Sequence, residues 1–181
     1  MHGSVFYGFK QFVVGRDGKE VWQAVVRSAG AGGWYFPTNS YPDEELQALV
    51  TSAAAAEGRA VGEVWEEFGA AVVPNLLTVY RSYLLSSWRT LDVLENVESV
   101  IHRTVRMLDK AATPPHLRVV RPSASEVRIE YSSARRLCLF AVGICRGVAA
   151  HFGETITVDH PSCMLRGERS CLIVVRQSPP S

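Results

Sequence analysis

No stretch of this chain is apolar for the roughly 20 residues that a bilayer span requires. No block of like charge occurs either: 19 Lys and Arg stand against 18 Asp and Glu, a formal net charge of +1. Without a basic patch there is no electrostatic case for nucleic acid or an anionic membrane surface. The first residues, MHGSVFYGFKQF, lack the basic, then apolar, then small-residue order of a signal peptide, so the cytoplasm is the expected location. Cysteine is scarce, with four residues, and in a reducing compartment these are expected as thiols, metal ligands or a redox switch rather than disulfides. There is no internal repeat, low-complexity segment or linker. No nucleophile–base pair, phosphate loop or acidic dyad stands in a recognisable setting, so an enzyme is not expected. What is present is an ordinary globular composition, 47% hydrophobic and 20% charged over 181 residues, which suits one domain spanning 1–181.

Periodicity reads the first two thirds as helical. Helices are expected over 5–14, ending in a turn at Arg16-Asp17-Gly18, and over 20–28, broken at Gly30. Another begins at Pro42 and runs through the alanine-rich 52–56 to Gly58. Asp43, Glu44 and Glu45 complement the positive end of its dipole. Two more are expected over 61–71 and from Pro74 through Tyr80. The strongest signal is a helix over 91–110, where Leu94, Val97, Ile101, Val105 and Leu108 form one apolar stripe with His102 beside it. After Pro114-Pro115 the period becomes alternating. Strands are expected over 117–121, 126–131, 155–159 and 170–176, with a helix over 135–152 inserted between the second and third. The tail 177–181 is polar and Pro-rich and is expected to fray. The class is α+β: a helical layer followed by a small antiparallel sheet of about four strands.

Two features carry chemistry. Strand side chains alternate faces, so Tyr131, Ser133 and Arg135 are expected to point the same way, aligning a phenol, a hydroxyl and a guanidinium. Such a row suits a carboxylate or phosphate, though the spacing alone favours a plain solvated strand face. His102, at the edge of an apolar stripe, suits a core boundary residue or an axial haem ligand, which needs a neutral imidazole in apolar surroundings.

The order of these parts, a His in a long helix, then Pro114-Pro115, then Tyr-x-Ser-x-Arg, resembles the H-NOX (haem nitric oxide/oxygen binding) family over essentially the whole chain. The resemblance implies the H-NOX fold, with an N-terminal helical subdomain and a C-terminal part that carries the sheet and the proximal-histidine helix. It implies haem b, with His102 on the iron, Tyr131, Ser133 and Arg135 on the propionates, and Pro115 pressing on the porphyrin. On the distal side, the tyrosine of O2-binding members corresponds to Phe140, their asparagine to Val72, and a tryptophan near the N-terminus to Phe9. With Val5 these make an apolar distal pocket, which implies NO and CO binding with O2 excluded. Tyr7 is the one nearby hydroxyl whose reach depends on the rotation of its helix. The resemblance further implies that NO breaks the bond from iron to His102 and that a separate protein, a histidine kinase or a cyclic-di-GMP enzyme, reads the change.

Cys138, His160, Cys163 and Cys171 form a second candidate site. A hairpin turning at Gly167 sets Cys163 opposite Cys171 with Cβ atoms about 5 Å apart, which suits two ligands of one zinc. Four idle side chains would have the same sequence. Some H-NOX members carry a Cys3His zinc in this order, and the resemblance implies one here, with thiolate oxidation as a route to redox sensing. The alternative to a gas sensor is accordingly a zinc–thiol redox-sensing interaction module, with or without haem. Cys145 is expected as a small core residue. His2 and His151 are expected at the surface or terminus, His116 in solvent, and Trp22, Trp34, Trp65 and Trp88 in the core.

Overall fold

The computed structural model describes residues 1–108, 110 and 112–178, and of Leu108 only the backbone. The side chain of Leu108, the last member of the apolar stripe, and the tail beyond residue 178 therefore lie outside the described residues. The chain divides into two compact units, Met1–Phe68 and Gly69–Ser181, and the division falls within one helix.

The first unit is helical. α1 (Gly3–Asp17) and α2 (Lys19–Ala29) meet at Gly18, whose φ of 92° is one that side-chain-bearing residues rarely adopt. α3 (Asp43–Glu57) follows Pro42, with three carboxylates in its first turn, as the dipole favours. α4 (Val61–Ala71) completes the series. Phe6, Phe9, Val13, Leu46, Leu49, Val50, Val64 and Phe68 are fully enclosed. The Phe9 ring lies edge-on to Phe68 (centroids 5.0 Å apart) and to Trp22 (6.3 Å), an arrangement worth about 0.5–1.5 kcal/mol per pair beyond burial. The four tryptophans do not share one fate. Trp22 and Trp65 are core and Trp88 packs on the core of the second unit. Trp34, expected inside, is 79% exposed in the loop after Gly33, with the Lys10 ammonium 5.1 Å from its ring centre.

In the second unit, Pro74 lies in the first turn of α5 (Val73–Val79). α6 (Thr90–Asn96) is started by Asp92, which accepts a hydrogen bond from the Arg89 N–H at 2.9 Å. The helix expected over 91–110 is interrupted. The chain widens to π winding over Val97–His102 and returns to α in α7 (Arg103–Leu108). Apolar spacing could not show this, because the stripe stays apolar across the break.

The sheet has the order β1-β2-β4-β3, all antiparallel, with β1 His116–Ser123, β2 Glu126–Ser132, β3 Ile156–Ser162 and β4 Cys171–Gln177. Val127, Ile129 and Tyr131 of β2 alternate into the core with Cys171, Ile173 and Val175 of β4. Gln177, expected to fray, pairs its N–H with Ser125 O at 2.9 Å. α8 (Cys138–Phe152) joins β2 to β3. It starts three residues later than the sequence suggested, because Arg136 takes a φ of 50° and ends any helix that would include it.

α8 runs close to the chain around Gly69. A Cβ on Gly69 would lie 2.2 Å from Phe140 O, and one on Gly147 would lie 2.6 Å from Ala70 O. Both obstacles are backbone, which cannot swing aside. Gly69→Ala is therefore expected to destabilise the fold by about 3 kcal/mol, the upper range for overpacking. Urea unfolding checks this, and an unchanged midpoint would show that the helices can part without cost.

Candidate functional site

His102 closes the π segment, its side chain 15% exposed. Its Nδ1 lies 2.8 Å from Glu98 Oε2, and the other oxygen of Glu98 accepts from Arg106 at 2.5 Å. A carboxylate facing Nδ1 makes that nitrogen the N–H donor and leaves Nε2 with the ring's lone pair. Burial lowers the imidazole's pKa and outweighs the opposite pull of Glu98, so the ring is neutral at pH 7. Burial raises the Glu98 carboxyl, but the Arg106 and His102 hydrogen bonds outweigh it, and Glu98 stays ionised.

Strand alternation does not build the expected row of Tyr131, Ser133 and Arg135: Tyr131 and Ser133 share a hydrogen bond, while the Arg135 guanidinium donates to Thr113. β2 ends at Ser132, and a turn carries the other two. Ser133 Oγ accepts from the Arg135 N–H at 3.2 Å and is also hydrogen-bonded to the Tyr131 side chain. The Tyr131 hydroxyl accepts from the Leu137 N–H at 3.1 Å, and burial raises its pKa. The Arg135 guanidinium donates to Thr113 O at 2.5 Å and to Thr113 Oγ1 at 2.9 Å. It thereby ties the turn after β2 to the segment that leads into Pro114-Pro115, both half-buried. Neither Thr113 nor Glu98 was singled out from sequence. Glu98 had a readable signal, since Glu98, His102 and Arg106 recur four residues apart. Thr113 had none. The donor chemistry fits a porphyrin with two carboxylates: a neutral imidazole for iron, and a phenol, a hydroxyl and a guanidinium for anionic oxygens.

The remaining positions are placed as follows. Phe9 is enclosed in the first unit and Val5 is half-buried on the same helix, where Tyr7 is 44% exposed. Val72 and Phe140 are half-buried in the second unit. His116 and His151 are exposed, and His2 caps α1 by accepting from the Ser4 N–H at 3.4 Å.

Cys138, His160, Cys163 and Cys171 converge, with all four candidate ligand atoms within 4.8 Å of one another. β3 pairs with β4 as far as Ser162 opposite Leu172; Cys163 follows, and a tight turn at Met164–Arg166 closes on Gly167, φ 95°, with the Met164 N–H donating to Cys171 Sγ at 3.1 Å. The ladder slips by one residue between Asp159 and Ser162. Pro161, which has no N–H to pair, lies in that slip next to His160. α8 contributes Cys138 from its first turn, its sulfur 3.6 Å from that of Cys163. Zinc–sulfur bonds of about 2.3 Å in tetrahedral geometry put two sulfurs about 3.8 Å apart, so the spacing fits. His160 Nε2 is buried with no hydrogen-bond partner, an unmet demand that a metal ion would satisfy. Burial raises the thiol pKa of Cys138 and of Cys171, which keeps them protonated unless a cation draws the protons off. Cys145 is enclosed, its thiol pushed up to about 12 by burial, as a core residue would be.

Comparison with curated proteins finds no match. Among solved structures, an H-NOX protein from S. oneidensis in the Fe(II)NO ligation state aligns with a TM-score of 0.91 and 25% identity, covering 99% of this chain and 100% of that one. The H-NOX domain from Shewanella oneidensis in the Fe(II)CO ligation state aligns with a TM-score of 0.88 and 25% identity over the same shares. An Fe(II) unliganded H-NOX protein from K. algicida shares the fold at a TM-score of 0.89 and 18% identity, covering 99% and 98%. The Haem-NO-binding family model matches residues 2–160. With that match over most of its length, the chain belongs to the Haem-NO-binding, or H-NOX, family.

Proposed function

We propose that this protein is a haem-based gas sensor that binds NO and CO, excludes O2, and signals by releasing His102 from iron. The observation that carries the proposal is His102 itself: half-buried, neutral, and held at Nδ1 so that Nε2 is its lone-pair donor. Ferrous haem b, when bound, supplies an open coordination position for a diatomic gas. The chain's residues do the rest. Tyr131, Ser133 and Arg135 bind the propionates, and Pro115 bears on the porphyrin. The S. oneidensis relatives are known in NO- and CO-ligated states, which supports the same ligands here.

Selectivity follows from what the distal positions cannot do. O2 as an iron ligand gains from a hydrogen-bond donor, whereas NO and CO gain much less. Val5, Phe9, Val72 and Phe140 offer none. When His102 is released, the segment α6–α7 is free to move against the sheet, a two-state element biased by the gas. A separate histidine kinase or cyclic-di-GMP enzyme in the cytoplasm reads it. No described helix is long and apolar enough to cross a membrane. The convergent Cys138, His160, Cys163 and Cys171 favour a bound zinc. They also sustain a second reading, in which oxidation of the cluster is a signal.

The test is the absorption spectrum of the haem-reconstituted ferrous protein, first in air and then with NO. The Soret band is expected to ignore air and, with NO, to take the position of haem that has lost its histidine. In Phe140→Tyr, with a phenol restored, exposure to air is expected to shift the band. A stable O2 form in the unmodified protein would end the selectivity argument. Failure to hold haem would promote the zinc–thiol reading.

A further inference from the structure

Three carboxylates line the segment that leads to His102. Arg121 of β1 takes two of them, Asp92 at 2.7 Å and Glu95 at 3.0 Å. Glu98 alone turns to the histidine and divides its oxygens, one on His102 Nδ1 at 2.8 Å and one on Arg106 Nη2 at 2.5 Å. We infer that Glu98 and Arg106 are positioning residues that set the strength of the bond between His102 and haem iron. The inference rests on the haem reading above.

The physical basis is the coupling of the two ring nitrogens. A carboxylate that accepts the Nδ1–H draws that proton toward itself and gives the ring imidazolate character. Nε2 becomes more electron-rich and binds metal more strongly. A neutral acceptor does this less, because hydrogen bonds to ionised groups are about twice as strong as those between neutral ones. Arg106 acts in the opposite sense: by drawing charge onto the other oxygen, it weakens the carboxylate as an acceptor. The side chains of Glu98 and Arg106 are 27% and 42% exposed, so either can be changed without opening the core. In a sensor whose output is loss of the His102 bond, this pair places the threshold: Glu98 raises it and Arg106 tempers it.

Resonance Raman spectroscopy of the ferrous, gas-free holoprotein reads the iron–histidine stretch directly. The mode is expected to move down in Glu98→Gln, further down in Glu98→Ala, and up in Arg106→Gln. Stopped-flow mixing with NO is expected to show His102 released roughly tenfold faster in Glu98→Gln. That is the lower end of what losing an outer hydrogen-bond partner costs a metal site. An unmoved mode in Glu98→Gln overturns the inference. So does a downward shift in Arg106→Gln equal to that of Glu98→Gln, since the pair would then only hold the ring in place. A wild-type protein that shows no iron–histidine mode at all instead defeats the haem reading itself.

Discussion

Replacing His102 with alanine is expected to strip most haem from the protein as purified, and added imidazole is expected to restore it. The magnitude follows from the ligand's place in the site. Losing an outer hydrogen-bond partner of a metal ligand already costs about 10–100-fold in metal affinity, so losing the ligand itself must cost more. What would remain in the variant are Tyr131, Ser133 and Arg135, proposed to hold the propionate carboxylates and not iron. Imidazole fits the space that the side chain leaves and carries the same donor nitrogen. A variant that holds a full complement of haem without imidazole, with an unchanged ferrous spectrum, would remove His102 from the iron. The fold itself should survive, because His102 lies at the margin of the packed core and not in it.

The second large effect concerns the cysteine cluster. Cys163→Ala is expected to abolish stoichiometric zinc while leaving haem in place, as elemental analysis beside the haem absorbance will show. Cys163 is the informative choice because its sulfur lies 3.6 Å from that of Cys138 and within 4.8 Å of that of Cys171, so its loss leaves no set of three thiolates. A metal present at 1,000 times its dissociation constant stabilises the native state by about 4 kcal/mol. In a chain of this size each kcal/mol is worth roughly 2–4 °C, so Tm should fall by about 10 °C. The same drop should follow treatment of the unmodified protein with a chelator. Unchanged metal content in Cys163→Ala would end the zinc proposal, and the three thiols would then be core residues like Cys145.

These sites were legible in the sequence to different depths. The cysteine pair could be read because hairpin register is arithmetic: a turn at Gly167 fixes which residues oppose each other. The slip at Pro161 that accompanies His160 could not be counted in advance, although a proline with no N–H marked where pairing would fail. Tyr131 and Ser133 meet, and the Arg135 backbone joins them, but not by the strand alternation that was expected. The strand stops at Ser132 and side-chain hydrogen bonds complete the group, a competition that period-2 reasoning does not register. The late start of α8 has a similar origin in one backbone angle, that of Arg136. Trp34 was misplaced because residue type alone was used for a position that follows a glycine-rich break, where no helical or strand phase says which way a side chain faces. Thr113 is the deepest miss. Its role is to meet Arg135 across 22 residues of sequence, and only the folded chain brings them together.

The π winding over Val97–His102 bears on how this stretch can change length over time. A π turn holds about one residue more than the α turn it replaces. Each residue of an α-helix advances the face by about 100°. Removing one residue from 97–102 would let the segment relax to ordinary α winding, closing the same turn with one residue fewer, so the chain that follows would keep its face instead of rotating by that angle. Insertions and deletions here are therefore not interchangeable with those in a surface loop. Lineages that lose the extra residue should be found to keep the histidine on the same face, with the Glu-to-His spacing shortened from four to three where the loss falls between them.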